Sequence, residues 1–115
     1  MTKSRELFVA DRATFLADTM GPSLTIEMME KFANSAEKVA HEKSREMSEH
    51  FKDDEMALTR HADHMRTVAA KIKLLRDGLV PALKIDRNSH VLRLQAVQAM
   101  TFVTAEFEAM TGLMR

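Results

Sequence analysis

Cysteine, tryptophan and tyrosine are absent from the 115-residue chain. Without cysteine there is no disulfide, no thiolate metal site and no thiol nucleophile, a composition that suits a reducing cytoplasm. Glycine occurs three times and proline twice. Breakers are therefore few, and β-branched runs are rare, which favours helices over sheets. No apolar run approaches the roughly 20 residues of a membrane span. The N-terminal stretch MTKSRELFVADRATF carries charges through its apolar part, so it is not expected to act as a secretory signal. The expected location is cytoplasmic, with no membrane partner.

What is present describes a folded domain. Hydrophobic residues make up 45% of the chain and charged residues 30%, with zero net charge, so the composition is not that of a disordered segment. The length is that of one domain, residues 1–115, small enough that a second chain would add usefully to its core. The zero net charge hides a pattern. Residues 27–55 hold nine Asp/Glu and five Lys/Arg, a net of −4, whereas residues 60–93 hold eight Lys/Arg and three Asp/Glu, a net of +5. Two neighbouring helices that complement each other account for this. A basic nucleic-acid surface would want more excess charge and some base-reading side chains.

Apolar periodicity predicts an all-α small bundle of four to five long antiparallel helices. The first, over about Ser4 to Met20, carries Phe8, Val9, Phe15, Leu16 and Met20 and stops at Gly21-Pro22. Ser23 or Thr25 is placed to cap a second helix from about Leu24 to Lys52, whose stripe includes Met29, Phe32, Ala33, Ala36, Val39, Ala40, Met47 and Phe51. Asp53 or Asp54 in KDDE is placed to cap a third; the rival is one unbroken helix of about 50 residues, because the stripe keeps phase through Leu58, Met65, Val68, Ala69 and Ile72. Gly78 fits the left-handed position after a helix end, with Leu79 packing back and Pro81 barring continuation. After a short ALKI piece, Asp86, Asn88 or Ser89 caps a last helix from about His90 to Leu113.

That last helix is apolar on two sides. Leu92, Ala96, Ala99, Met100, Val103, Phe107, Met110 and Met114 form one face; Val91, Leu94, Phe102, Ala105, Ala109 and Leu113 form a second. A helix apolar on two sides is buried on two sides, and in a chain this small the second side points to another chain, hence a homodimer or a protein partner. The anchors expected at such an interface are Phe102, Leu94, Leu113 and Met110, with Met28 and Met29 as outlying candidates. Methionine fills cores but also lines adaptable binding surfaces, and ten occur here.

Four of the five histidines fall within residues 41–64. His41 lies opposite the apolar stripe and reads as solvated. His61 falls on the stripe and reads as a hydrogen-bonded histidine of a core or interface. His61 and His64 are three residues apart and so form weak candidates for a shared metal ion, but a structural zinc needs four ligands and a catalytic one three plus water. Neither H-E-x-x-H nor a Glu-x-x-His pair is present. With no Gly-rich phosphate loop and no nucleophile elbow either, the expectation is a non-enzyme without cofactor. A helix-turn-helix around Gly78 is an alternative, with Arg87, Asn88, His90, Arg93 and Gln95 as its reading surface, although Pro81 and Lys84 fall where that motif wants helix and core residues. A histidine-based metal-binding protein is the second alternative.

The stretch HMRTVAAKIKLLRDGLVP, residues 64–81, resembles the end of TraM-type antiactivators. In these a helix runs from a histidine to a Gly-apolar-apolar-Pro exit at the same spacing; His64, Gly78, Leu79, Val80 and Pro81 are the matching positions. The likeness covers about 18 of 115 residues, and this chain continues for another 34. Its size and helical layout are also similar to QslA, an antiactivator of the same functional class. The resemblance implies a small helical dimer that binds a LuxR-type quorum-sensing transcription factor. It would inhibit by occlusion, covering the factor's dimerisation or DNA-binding surface with an apolar helix face. It assigns no individual contact residue.

Overall fold

The computed structural model describes residues 24–113, and every regular element in that range is helical. The helix expected over Ser4–Met20, and Met114 at the far end, lie outside the described residues.

Helix α1 spans Ile26–His50. Thr25 caps it, its hydroxyl accepting from the Met28 amide at 3.1 Å, and Glu27 in the first turn favours its positive end. The chain turns at residues 51–54 and re-enters helix α2, Glu55–Lys73, under Asp54, whose carboxylate accepts from the Ala57 amide at 3.1 Å. The KDDE stretch therefore bends rather than running straight. Helix α4, His90–Leu113, starts under Ser89, which accepts from the Leu92 amide at 3.2 Å.

Between α2 and α4 the structure departs from the sequence expectation. Gly78 does not end the helix. Residues Leu74–Leu79 form a π-helical turn, with the Val80 amide donating to the Leu75 carbonyl five residues back, and helix α3, Val80–Ile85, follows without a break. No described residue has a positive φ. The physical reason lies in Pro81, near the start of α3. A proline inside a regular helix lacks a donor and its ring strikes the carbonyl four residues earlier; the wider turn just before it relieves both demands. The inserted residue also keeps Val68, Ile72, Leu75, Leu79 and Leu83 in the interior. Residues 55–85 thus act as one rod.

The rod lies antiparallel to α1 and to α4. Arg76 pairs with Glu37 and Lys84 with Glu30 at 3.0 Å, joining the acidic first half of the chain to the basic second half. These partly exposed pairs are screened by solvent and orient more than they stabilise. Against the rod, His64 faces Glu106 and Lys71 faces Phe102. Helices α1 and α4 run parallel: Arg93 donates to the Leu24 carbonyl at one end, and Lys43 reaches Thr111 at the other, 2.9 Å away.

The core has two parts. One gathers Ile26, Met29, Ala33, Leu75, Leu79, Leu83, Ala96 and Ala99. The other gathers Ala36, Ala40, Met47, Val68, Ile72, Val103 and Met110, and Phe32 packs on both. Each large side chain buried here contributes about 1.5–3 kcal/mol. Among the described residues no helix is long and apolar enough to cross a membrane.

Candidate protein-binding face

Helix α4 settles which of its two apolar sides is structural. Ala96, Ala99, Val103 and Met110 are buried against α1 and the rod. On the second side Leu94, Phe102, Ala105 and Ala109 are half-buried, while Val91 and Leu113 are each 65% exposed. Val91, Phe102 and Leu113 follow one another at steps of eleven residues. Eleven residues make roughly three whole helical turns, so the three side chains form one line along α4. No charged residue occurs from Leu94 to Ala105.

The rod extends this line into a face. The Lys71 ammonium lies 5.5 Å from the centre of the Phe102 ring, at the range of a cation–π contact. Met56 and Leu74 both lie on the side of Lys71 away from Arg76, since at about 100° per residue they share one direction 60° from it. Both are exposed, Met56 at 69%. Ile85, also exposed, ends the rod just before the turn into α4. Of the large apolar side chains exposed among the described residues, only Met28, at the start of α1, is not on α4 or the rod.

The interface candidates divide accordingly. Phe102, Leu94 and Leu113 lie on the second side of α4. Met28 is half-exposed but lies on α1. Met29 and Met110 are corrected to core residues: they are 0% and 1% exposed, and their side chains fill the chain's own two cores. No partner reaches them in this arrangement.

The histidines separate too. His61 is buried at the contact between α2 and α1, its Nε2 3.2 Å from the Ser44 carbonyl. That distance fits donation from Nε2–H, which leaves Nδ1 as a buried acceptor without a hydrogen-bond partner. His64 turns instead toward α4, with Nε2 2.7 Å from Oε2 of Glu106, a buried carboxylate. Sequence reasoning missed Glu106; the signal was an acid set among the core positions Val103, Phe107 and Met110. His41 and His90 are exposed, and the exposed His50 stands edge-on to Phe51 with ring centres 4.6 Å apart. Among the described residues no group of three or more His, Asp or Glu side chains is placed to hold a metal ion.

A concavity lies between α1 and the rod. It encloses about 430 Å³, floored by Ala40, Ala62, Met65, Ala69 and Ile72 and bordered by Glu37 and Arg76. Arg76 donates to both Asp77 oxygens, at 2.9 and 3.2 Å, and to Glu37. The bonds to Asp77 and then Glu37 hold the guanidinium above its ordinary range, and the bond from Arg76 holds the Asp77 carboxyl below the usual carboxylate range. The cation bordering this groove is therefore already satisfied.

The segment considered as a helix-turn-helix is built differently. Such motifs join helices crossed at about 90–120°, whereas Asp86–Ser89 joins the rod to an antiparallel α4. The Arg93 guanidinium is engaged with the Leu24 and Arg87 carbonyls.

Neither a protein-family model, nor a curated protein, nor a solved structure matches the chain.

Proposed function

We propose that this protein is a non-enzymatic regulator, a dimeric bundle of four to five helices in the cytoplasm, that binds and inhibits a partner protein through the outer line of α4. The observation that carries the reading is the placement of Val91, Phe102 and Leu113 in one line, beside exposed Met56 and Leu74 on the rod. Monomeric proteins scatter their exposed apolar residues singly; we read a line of them along one helix, with no charged residue from Leu94 to Ala105, as a docking surface. An amphipathic helix of a partner would lay its apolar side along the strip, and a few anchors would supply most of the energy. The likeness of residues 64–81 to TraM-type antiactivators points to a transcription factor of the LuxR type as that partner, inhibited by occlusion of its dimerisation or DNA-binding surface.

The test is affinity capture with the wild-type chain and with Phe102→Asp, followed by a mobility shift of the captured factor on its promoter. The reading expects capture by the wild type only, and loss of the factor's DNA binding when the wild-type chain is added. Equal capture by both chains, or DNA binding by the factor undisturbed, would contradict it.

A further inference from the structure

We infer that the outer line of α4 pairs with the same line of a second copy in antiparallel register, Phe102 against Phe102 and Val91 against Leu113, and that this pairing competes with capture of the foreign partner. The inference rests on the reading of α4 as the docking strip and specifies what holds that strip when no partner is bound.

Three observations lead to it. The first is internal symmetry. Val91 and Leu113 lie equally far from Phe102 along α4 and are equally exposed. A two-fold axis across the helix at Phe102 therefore superposes large apolar groups on large apolar groups, which is the requirement of an isologous interface.

The second is charge. Exposed Arg87 and His90 stand at the N-terminal end of α4 against one acid, Asp86, and Glu108 stands at its C-terminal end. Asp53 and Asp54 of the turn, and Glu55 at the start of the antiparallel rod, are at that same C-terminal end. The helix macrodipole adds partial positive charge at the first end and partial negative charge at the second. A two-fold axis running along the helices would bring acid onto acid and dipole onto like dipole. An axis lying across them brings the basic end of one copy onto the acidic end of the other, while residues 94–105 of α4, which carry no charge, meet themselves in the middle with Lys71 of each rod beside Phe102.

The third is size. At about 1.5 Å per residue Val91 and Leu113 are roughly 33 Å apart. A strip that long and two helices wide covers on the order of 600 Å² per copy with axes about 10 Å apart, near the about 800 Å² per partner of a standard interface. A foreign helix using the same strip must displace the second copy, so self-association regulates capture.

The absence of cysteine makes the register directly readable. Val91→Cys and Leu113→Cys variants of the full chain, both at exposed positions, are treated with a short thiol-to-thiol crosslinker, singly and as a 1:1 mixture. Sedimentation equilibrium of the wild type is run alongside. The inference expects a dimer mass, crosslinked dimer in the mixture, and little in either variant alone. Crosslinking of each variant with itself would overturn the register, because that is the parallel arrangement. A wild type that sediments as a monomer, with no crosslinked dimer in the mixture of variants, would overturn self-pairing; the capture experiment above would still decide partner binding separately. If capture succeeds, the crosslinked Val91→Cys and Leu113→Cys mixture is expected to capture less partner than the same mixture left uncrosslinked, and equal capture would overturn the competition.

Discussion

Replacing Gly78 by Ala is expected to stabilise the protein. If Gly78 were the left-handed residue that ends a helix, an added Cβ would cost about 1–2 kcal/mol and the melting temperature would fall. The structure places it inside a continuous helical rod with no positive φ. A Cβ at Gly78 would meet only the Leu74 Cδ1 atom, at 3.5 Å, an ordinary contact. The residue is exposed, so the substitution neither opens nor overfills a cavity. What remains is the helix preference of Ala over Gly, about 0.5–1 kcal/mol, much of it from the smaller conformational freedom of the unfolded chain. With an unfolding entropy of about 2.1 cal/mol/K per residue, a chain of 115 residues is expected to gain about 2–4 °C. Circular dichroism melts of both chains at one fixed concentration measure this. A fall of several degrees would refute the rod and restore Gly78 as a helix terminator.

Other predictions follow from the interior and from the ion pairs. Met29→Ala, at a position 0% exposed, is expected to cost about 2–5 kcal/mol in urea unfolding; a loss below about 1 kcal/mol would return Met29 to the list of surface anchors. His64→Ala removes the imidazole from a buried carboxylate and is expected to destabilise by about 1–3 kcal/mol, whereas His41→Ala, at an exposed position, is expected to change stability by less than about 0.5 kcal/mol. Equal effects would contradict the different placements of the two histidines. Because Arg76 lowers the Asp77 carboxyl in the folded state, the stability that Asp77 adds is present above the ordinary aspartate range, near pH 4, and is lost as the pH falls through the lowered folded value. Wild type and Asp77→Asn are therefore expected to converge in stability on acidification; a gap that widens toward low pH would contradict the assignment.

The helix starts were legible because capping is local: Thr25, Asp54 and Ser89 each bond an amide three residues ahead. The buried stripe of α1 was legible for the same kind of reason, since 3.6-residue periodicity needs no knowledge of the partner helix. Gly78 and Pro81 were misread because Gly-x-x-Pro is a terminator only when nothing downstream opposes it. Here Leu79, Val80 and Leu83 are buried and hold the chain in helix past the proline, and the π turn absorbs the misfit. Met29 and Met110 were misassigned because a stripe shows which residues share a side, not how far a neighbouring helix covers it. Pairing His64 with Glu106 required the antiparallel register of α2 and α4, which no local pattern encodes.

The central claim is that the outer line of α4 is the docking surface, and the most direct measurement is affinity capture with a chain carrying both Val91→Asp and Leu113→Asp. Both side chains are largely exposed, so the fold should be retained and the melting curve of the isolated variant is the control. The account predicts that partners retained by the wild type are lost by this variant. Retention of the same partners at the same level by a folded variant would contradict it.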